Sequence, residues 1–310
     1  MKLISLVVPC FNEQETIQIF YDEVLKIHNK LTDAEIEFRF VDDGSKDNTV
    51  KLLRELSKKD SRVHYISFSR NFGKEAALLA GLESAKGDYV ATMDVDLQDP
   101  PSLLPEMWED ITNPELELDC IATKRQTRKG EPPIRSFFAN MFYRLINKMS
   151  DTFIENGARD YRLMNRNFVD AVIQDKEYNR FSKGIFSWVG FNTKWISYDN
   201  VERSAGSTKW SFFKLFKYSI EGILSYSTVP IYMASVLGFV MTFISVLSLL
   251  FVVIRKLVFG DSVQGWASLV CIIIFIGGLL LLNMGVIGLY LSKIYTETKQ
   301  RQKYIIRDQR

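Results

Sequence analysis

MDVDLQDPP, Met93 to Pro101, follows directly on the apolar run Tyr89–Thr92 and sets two carboxylates two residues apart. If that run is a strand, Asp94 and Asp96 fall on one face where it ends, because strand side chains alternate with a period of two. Paired carboxylates at the carboxyl edge of an open α/β sheet, where such folds bind ligands, suit a hard divalent cation, Mg2+ or Mn2+, held through oxygen. A nucleotide pyrophosphate is the usual companion of that ion. The competing reading of the same residues is a solvated turn in which Asp99 caps a helix begun at Pro100 or Pro101.

The residues before this stretch alternate between two periods. Leu3–Val8 is an apolar strand, and Glu15–Leu31 has helical spacing through Ile19, Phe20, Val24 and Ile27. Glu35–Val41 returns to strand, Asn48–Lys59 to helix, Val63–Phe68 to strand and Lys74–Ala85 to helix, with Tyr89–Met93 the strand that delivers the carboxylates. A βαβα order of this kind predicts a mostly parallel sheet wrapped by helices. Two further strand ends carry polar residues: Pro9-Cys10-Phe11-Asn12-Glu13 after the first strand and Asp42-Asp43-Gly44-Ser45 after the second. There a carboxylate can accept hydrogen bonds from a base or ribose, Gly44 permits a tight turn, and Ser45 or Asp47 can cap the next helix. Each alone is an ordinary turn, but three polar ends of one parallel sheet converge on one crevice.

Composition divides the 310-residue chain. No charged residue occurs from Gly222 to Ile254 or from Ser262 to Ser292. Each run exceeds the roughly 20 residues that cross a bilayer as a helix, which predicts spans at about 230–254 and 266–291 joined as a tight hairpin. Basic residues gather at the outer ends, Lys293, Lys299, Arg301, Lys303, Arg307 and Arg310 after the second span and Arg203, Lys209, Lys214 and Lys217 before the first, against Arg255 and Lys256 between them. Both long ends are therefore expected in the cytosol, which makes the chain a multi-pass protein of the cell membrane. No cleavable signal is expected in Met1–Pro9, which holds one Lys and then reads as a strand. Cys10, Cys120 and Cys271 are scattered without metal spacing and fit a reducing compartment. The net charge of +2 is uninformative, and nothing in the sequence resembles a nucleic-acid module, so no nucleic-acid partner is expected.

VVPCFNE at Val7–Glu13, VDDGSKDNT at Val41–Thr49, SRNFGKEAAL at Ser69–Leu78 and DVDLQDPP at Asp94–Pro101 together resemble the family 2 glycosyltransferases of GT-A fold. With GARDYRLMNR at Gly157–Arg166 and ERSAGSTKW at Glu202–Trp210, the set looks like the branch that makes polyprenyl-phosphate sugars, dolichol-phosphate mannose synthases and bactoprenol glucosyltransferases among them. The C-terminal pair of spans is the bactoprenol-type arrangement. The resemblance implies a GT-A catalytic domain over residues 1–210, a juxtamembrane amphipathic helix over 211–229, the two-helix membrane hairpin within 230–292 and a basic cytosolic tail over 293–310. It implies transfer of a hexose, with UDP-glucose or another UDP-hexose first, from a nucleotide diphosphate sugar to undecaprenyl or another polyprenyl phosphate for cell-envelope glycosylation. A GDP-mannose enzyme and a non-catalytic scaffold that keeps the fold are the alternatives.

By the same resemblance Pro9, Asn12 and Glu13 form the nucleotide edge, Asp42 and Asp43 serve base and ribose, Arg70 and Lys74 lie near the donor, and Asp94, Asp96 and Gln98 surround the metal. Asn165 stands where relatives often carry Asp, which leaves the motif's first acid, Asp160, as the candidate catalytic base, with Asp96 beside the metal. A phosphate monoester is largely dianionic at neutral pH, its second pKa being about 6, so Asp160 is as well suited to orient the acceptor as to take a proton. One displacement at the anomeric carbon inverts configuration.

For the acceptor phosphate the bidentate geometry of Arg favours Arg125, Arg135 and Arg203, with Lys209 close to the membrane. Arg128, Lys129 and Lys214 fit a basic face toward anionic lipid equally well. Two stretches with helical apolar spacing, Ile134–Met149 and Phe212–Ile220, suit helices lying in the interface plane, the first being equally readable as a buried helix face. Gly277, Gly278, Gly285 and Gly288 permit close helix packing within the hairpin or in a homo-oligomer.

Overall fold

The computed structural model describes residues 1–125, 141, 143–144, 146–150, 152–199, 227–259 and 265–310. In chain order the elements begin β1 (Lys2–Cys10), α1 (Ile17–His28), β2 (Ala34–Asp42), α2 (Thr49–Lys59), β3 (Val63–Phe68), α3 (Lys74–Ser84) and β4 (Tyr89–Thr92). They continue with α4 (Leu104–Thr112), β5 (Cys120–Arg125), β6 (Ala158–Asn165), α5 (Arg166–Gln174), α6 (Ser182–Trp188) and β7 (Thr193–Tyr198). Two long helices, α7 (Val229–Phe259) and α8 (Trp266–Thr298), precede a last strand, β8 (Ile306–Gln309).

One sheet of eight strands runs β7-β5-β6-β4-β1-β2-β3-β8. Its centre, β4-β1-β2-β3, is parallel, as is the β5–β7 pair, while β6 runs antiparallel between β4 and β5 and β8 antiparallel on the outer edge of β3. The mixed, mostly parallel sheet is that of a GT-A-like fold. Central parallel strands are covered on both faces, which is why β1 is almost continuously apolar. Ile4, Leu6 and Val8 join Phe20 and Val24 of α1, Leu53 of α2 and Met107 of α4 on one face. On the other, Val7 and Val90 meet Leu82 of α3, Phe168 and Val169 of α5 and Ile185 of α6.

Close approach of α3 to the sheet is written into its small residues. Ala77 and Ala80 lie against Val41 and Phe68, and a Cβ at Gly81 would stand 2.2 Å from Cγ1 of Val7. Glycine is therefore required there for packing, and α3 carries Lys74 at its first turn to the edge where β1, β2 and β4 end. Gly44 meets the same need between loops: its φ is +69°, and an added Cβ would lie 2.4 Å from the Arg70 carbonyl carbon.

Helices α7 and α8 include apolar stretches, Val229–Ser248 and Ile272–Thr298, long enough to span a membrane. Most of their large side chains face outward, Phe239 and Leu281 among them. At 1.5 Å per residue, the 33 residues of α8 reach about 50 Å, more than the about 30 Å of a hydrocarbon layer. Among the described residues the glycines of α8 do not mediate packing within the hairpin, since a Cβ at Gly277, Gly278, Gly285 or Gly288 meets nothing within 4 Å.

The basic tail is not a free extension. Its residues Ile306–Gln309 pair with Ile66–Phe68 in the sheet, Arg54 binds Asp308 with Nε at 2.8 Å, and the Tyr65 hydroxyl donates to the same carboxylate at 3.0 Å. Of the first interfacial stretch, Ile146 is fully buried against Ile154 and Phe181, the environment of a packed helix face. The second, Phe212–Ile220, lies outside the described residues.

Candidate active site

β4 ends at Thr92, so strand alternation does not reach the carboxylates; Asp94 and Asp96 stand on the turn that follows, with Val95 and Asp96 both buried. Leu97, in the left-handed region at φ 57°, reverses the chain there. Asp160 comes beside Asp94 because β6 pairs antiparallel with β4, Thr92 opposite Arg162, and the Thr92 hydroxyl donates to the Asp160 carbonyl.

Between the two carboxylates lies the ammonium of Lys74, 2.7 Å from Asp94 Oδ1, 2.9 Å from Asp94 Oδ2 and 2.5 Å from Asp160 Oδ2. Burial works against ionisation of Asp160, but the charges of Lys74, Lys183 and Arg159 outweigh it and hold the carboxyl well below the usual carboxylate range. Burial likewise opposes the Lys74 charge, and the two carboxylates more than offset it, so the ammonium is held. Lys74 keeps 41% of its side-chain surface exposed against 18% for Asp160, which leaves the cation reachable by an anion from outside.

Asp96 Oδ1 accepts the backbone N–H of Gln98 at 3.2 Å, and the Gln98 amide oxygen accepts from Arg125 Nη2 at 3.1 Å. No group of three or more His, Cys, Asp or Glu side chains able to hold a metal ion together occurs among the described residues. A hard ion bound by one or two carboxylates, waters and substrate phosphates needs no such cluster. Asp94, which already holds the Lys74 ammonium, and Asp96 and Gln98 of the same turn supply carboxylate and amide oxygens, the donor type that fits Mg2+ or Mn2+. Asp99 does not cap a helix. It is buried, with Oδ1 accepting from Arg159 Nε at 2.7 Å and from the Tyr198 hydroxyl, and so ties the turn to β6 and β7.

The first two strand ends are laced to each other. Asn12, in the left-handed region at φ 54°, donates its N–H to Ser45 Oγ at 2.8 Å and accepts from the Lys46 N–H at 2.9 Å. The Glu13 N–H donates to Thr49 Oγ1 at 2.9 Å, while the Glu13 carboxylate accepts from Thr16. Ser45 thus bridges two loops, and Asp47 accepts the Thr49 N–H at the start of α2. Asp42 is buried under Ser67 Oγ, 2.8 Å away, and Asp43 accepts the N–H groups of Phe72 at 2.6 Å and Gly73 at 3.0 Å. Burial pushes the Asp43 carboxyl up to about 6 against those two donors. Pro9 lies on β1 opposite Val41, one residue before this junction. Arg70 lays its guanidinium 4.0 Å over the Phe72 ring.

The residues expected near the donor and the metal thus share one edge, and Arg125 reaches it through Gln98. Arg135, Arg203 and Lys209 lie outside the described residues. Sequence reading passed over Glu75, which accepts from the N–H and hydroxyl of Ser182 and caps α6 from the first turn of α3. It also passed over Arg159 and Lys183, whose charges act on Asp160. Arg159 was visible as the neighbour of Asp160 in GARDYRLMNR; Lys183 had no local signal. A cavity of about 310 Å³ lined by Lys2, Gly87, Asp88 and Arg166 shares no residue with this edge.

Among solved structures, glucosyl-3-phosphoglycerate synthase from Mycobacterium tuberculosis, in complex with Mn2+, uridine-diphosphate-glucose and phosphoglyceric acid, is 18% identical, with 72% of this chain and 78% of that chain covered and a TM-score of 0.47. The bactoprenol glucosyl transferase of Shigella phage SfV is 42% identical over 310 residues, 99% of both chains. The prophage bactoprenol glucosyl transferase homolog of Escherichia coli K12 is 41% identical with 98% of each chain covered, and the putative glycosyltransferase CsbB of Bacillus subtilis 40% identical with 99% of this chain and 92% of that one covered. The family model for glycosyl transferase family 2 matches residues 5–173, from β1 to the end of α5 and including every described strand end considered above. The chain belongs to glycosyl transferase family 2 and is a glycosyltransferase.

Proposed function

We propose that this chain transfers glucose from a nucleotide diphosphate donor, UDP-glucose first among them, to the phosphate of a membrane polyprenol, with inversion and on the cytosolic side. The observation that carries the reading is the Asp94–Lys74–Asp160 junction at the carboxyl edge of the parallel strands, in a chain that also holds two helices able to span a bilayer. The names of its bactoprenol relatives support the sugar and the acceptor class.

Asp94, Asp96 and Gln98 would hold Mg2+ or Mn2+, which when bound offsets the charge developing on the leaving diphosphate. Lys74 fixes the separation of Asp94 and Asp160 and adds a positive charge beside the departing group. Asp42 and Asp43 shape the nucleotide edge through the loops they hold, since both carboxylates are already bonded within the protein. Asn12, Glu13 and Pro9 complete that edge. Asp160, kept ionised by its cationic neighbours, orients the acceptor and stabilises an oxocarbenium-like sugar; a carboxylate so weakly basic makes a poor proton acceptor. Arg125, with Arg135, Arg203 and Lys209, would receive the acceptor phosphate.

The test is direct. Full-length protein in lipid nanodiscs is incubated with a panel of radiolabelled nucleotide sugars, with and without undecaprenyl phosphate. Label from a UDP-hexose should enter the organic phase only with the lipid, and no extractable product from any donor refutes the reading.

A further inference from the structure

Two contacts lead from the end of α8 into the active site. The Glu297 carboxylate, in the last turn of α8, accepts the backbone N–H groups of Tyr178 and Asn179, each at 3.0 Å. That segment runs into Ser182, which Glu75 holds through both N–H and hydroxyl. Past the helix, the Tyr304 ring stacks on Phe68 at 5.0 Å with 15° between planes, and its hydroxyl donates to Glu83 of α3. The Ile305 carbonyl accepts the Ser69 N–H at 2.9 Å. Phe68 in turn meets Phe72 edge-on at 5.8 Å, the ring beneath Arg70, and the Phe72 N–H is the one held by Asp43. Tyr304 and Phe72 pack on the same cluster as Ala76, Ala77 and Ala80 of α3. Both routes therefore reach the first turn of α3, one at Glu75 and one through Phe72 to Ala76 and Ala77, where Lys74 bridges Asp94 and Asp160, while the Tyr304 hydroxyl also reaches the last turn at Glu83.

We propose that Glu297–Asp308 is a positioning element: the end of the second apolar helix and the returning tail clamp residues 69–75 from two sides and so set where Lys74 sits. The edge strand itself is held by Arg54 and Tyr65 on Asp308, so Tyr304 can be altered while β8 keeps its own anchors. A side chain stacked on the last residue of β3, from which residues 69–75 run, transmits position, and a misplacement of about 1 Å at a catalytic group can cost about a hundredfold in rate. Only the turnover readout depends on the proposed glycosyl transfer; amide exchange does not.

Tyr304→Ala, Tyr304→Phe and Glu297→Ala are made in the full-length protein, and amide exchange is measured beside kcat and donor KM. Tyr304→Ala should speed exchange across 69–77 by about tenfold or more, leave β1 and β2 as protected as in wild type, and lower kcat by about tenfold with a smaller change in KM. Tyr304→Phe, which keeps the ring and loses the bond to Glu83, should restore most of both. Glu297→Ala should loosen 178–184 and lower kcat in the same way. Wild-type exchange and wild-type kcat in Tyr304→Ala overturn the proposal, as does a loss of protection extending through β1 and β2, which would make the tail a folding element. If wild type itself transfers no sugar, the functional reading fails, and local exchange alone decides the clamp.

Discussion

Gly81→Ala tests whether the seating of α3 sets the active site. A Cβ there would stand 2.2 Å from Cγ1 of Val7 and 3.3 Å from Cγ2 of Val41. Carbon atoms in contact sit about 3.5–4.0 Å apart, so roughly 1.3 Å must be found by moving the helix or β1. Val7 is fully buried in a central strand paired on both sides and cannot retreat, so the displacement falls on α3. Overpacking of this kind costs about 1–3 kcal/mol, and the better helix propensity of Ala returns about 0.5–1 kcal/mol. A net loss of about 1–2 kcal/mol is expected.

The larger effect is on rate. Lys74 lies seven positions before Gly81 on the same helix, and a shift of about 1 Å would lengthen bonds now at 2.5 to 2.9 Å past the usual hydrogen-bond range. Transfer should fall by about ten- to a hundredfold. The assay pairs thermal unfolding of full-length protein in detergent with initial rates, for Gly81→Ala, Val7→Ala and the double variant. Because Val7→Ala removes the atom that clashes, the two changes should couple by about 0.5–3 kcal/mol, the double variant losing less than the sum. Wild-type rate and melting in Gly81→Ala, or strict additivity, would refute the reasoning.

Asp94→Asn and excess EDTA should each reduce transfer by at least about a hundredfold, the chelated protein recovering with added Mg2+ or Mn2+; full turnover in EDTA removes the metal from the mechanism. The Asp43 carboxyl lies at about 6 in the fold against 3.8 unfolded, so the folded state binds the proton more tightly. Its contribution is complete below about pH 4 and is lost as pH rises through about 6, about 3 kcal/mol in all. Asp43→Asn should therefore flatten the decline in stability between pH 4 and 7 relative to wild type, and parallel curves would contradict the shift. Asp160 stays ionised throughout pH 5–9, so the acid limb of the rate should follow the second ionisation of the acceptor phosphate, about pH 6, and persist in slow Asp160→Asn and in Asp43→Asn. Loss of that limb in Asp160→Asn would restore a general base.

What could be read from sequence was what short-range period encodes. β3 lies at the expected residues, and β1, β2, β4, α2 and α3 fall within a residue or two, because central parallel strands and the helices on them carry unbroken apolar signals. β6 carried none. Its Arg159, Asp160 and Arg162 suggest a polar loop, yet Arg162 is fully buried between the rings of Phe186 and Trp195, with its guanidinium carbon 4.7 and 5.1 Å from their centroids. Rings supplied by α6 and β7 make that burial tolerable, and nothing near Arg162 in sequence announces them. β8 is shorter still, with one apolar residue in Ile306–Gln309, and its Asp308 holds the sheet edge through Arg54 and Tyr65, more than two hundred residues earlier.

The same limit separates the three acids of MDVDLQDPP. Spacing alone makes Asp94, Asp96 and Asp99 look like successive members of one motif. In the fold Asp94 faces a lysine from α3, Asp96 closes its own turn, and Asp99 is buried with Arg159 and Tyr198. Only the second of these environments is local, so only it was open to sequence reading. The other two follow from the insertion of β6 beside β4, which carries Asp160 to the ammonium already bound by Asp94 and Arg159 to the carboxylate below. A charge held by partners from separate elements can be displaced only by moving an element. The site therefore keeps its geometry through rigid neighbours, α3 on its small-residue face and the turn on its buried aspartate, while its exposed lysine meets whatever anion enters.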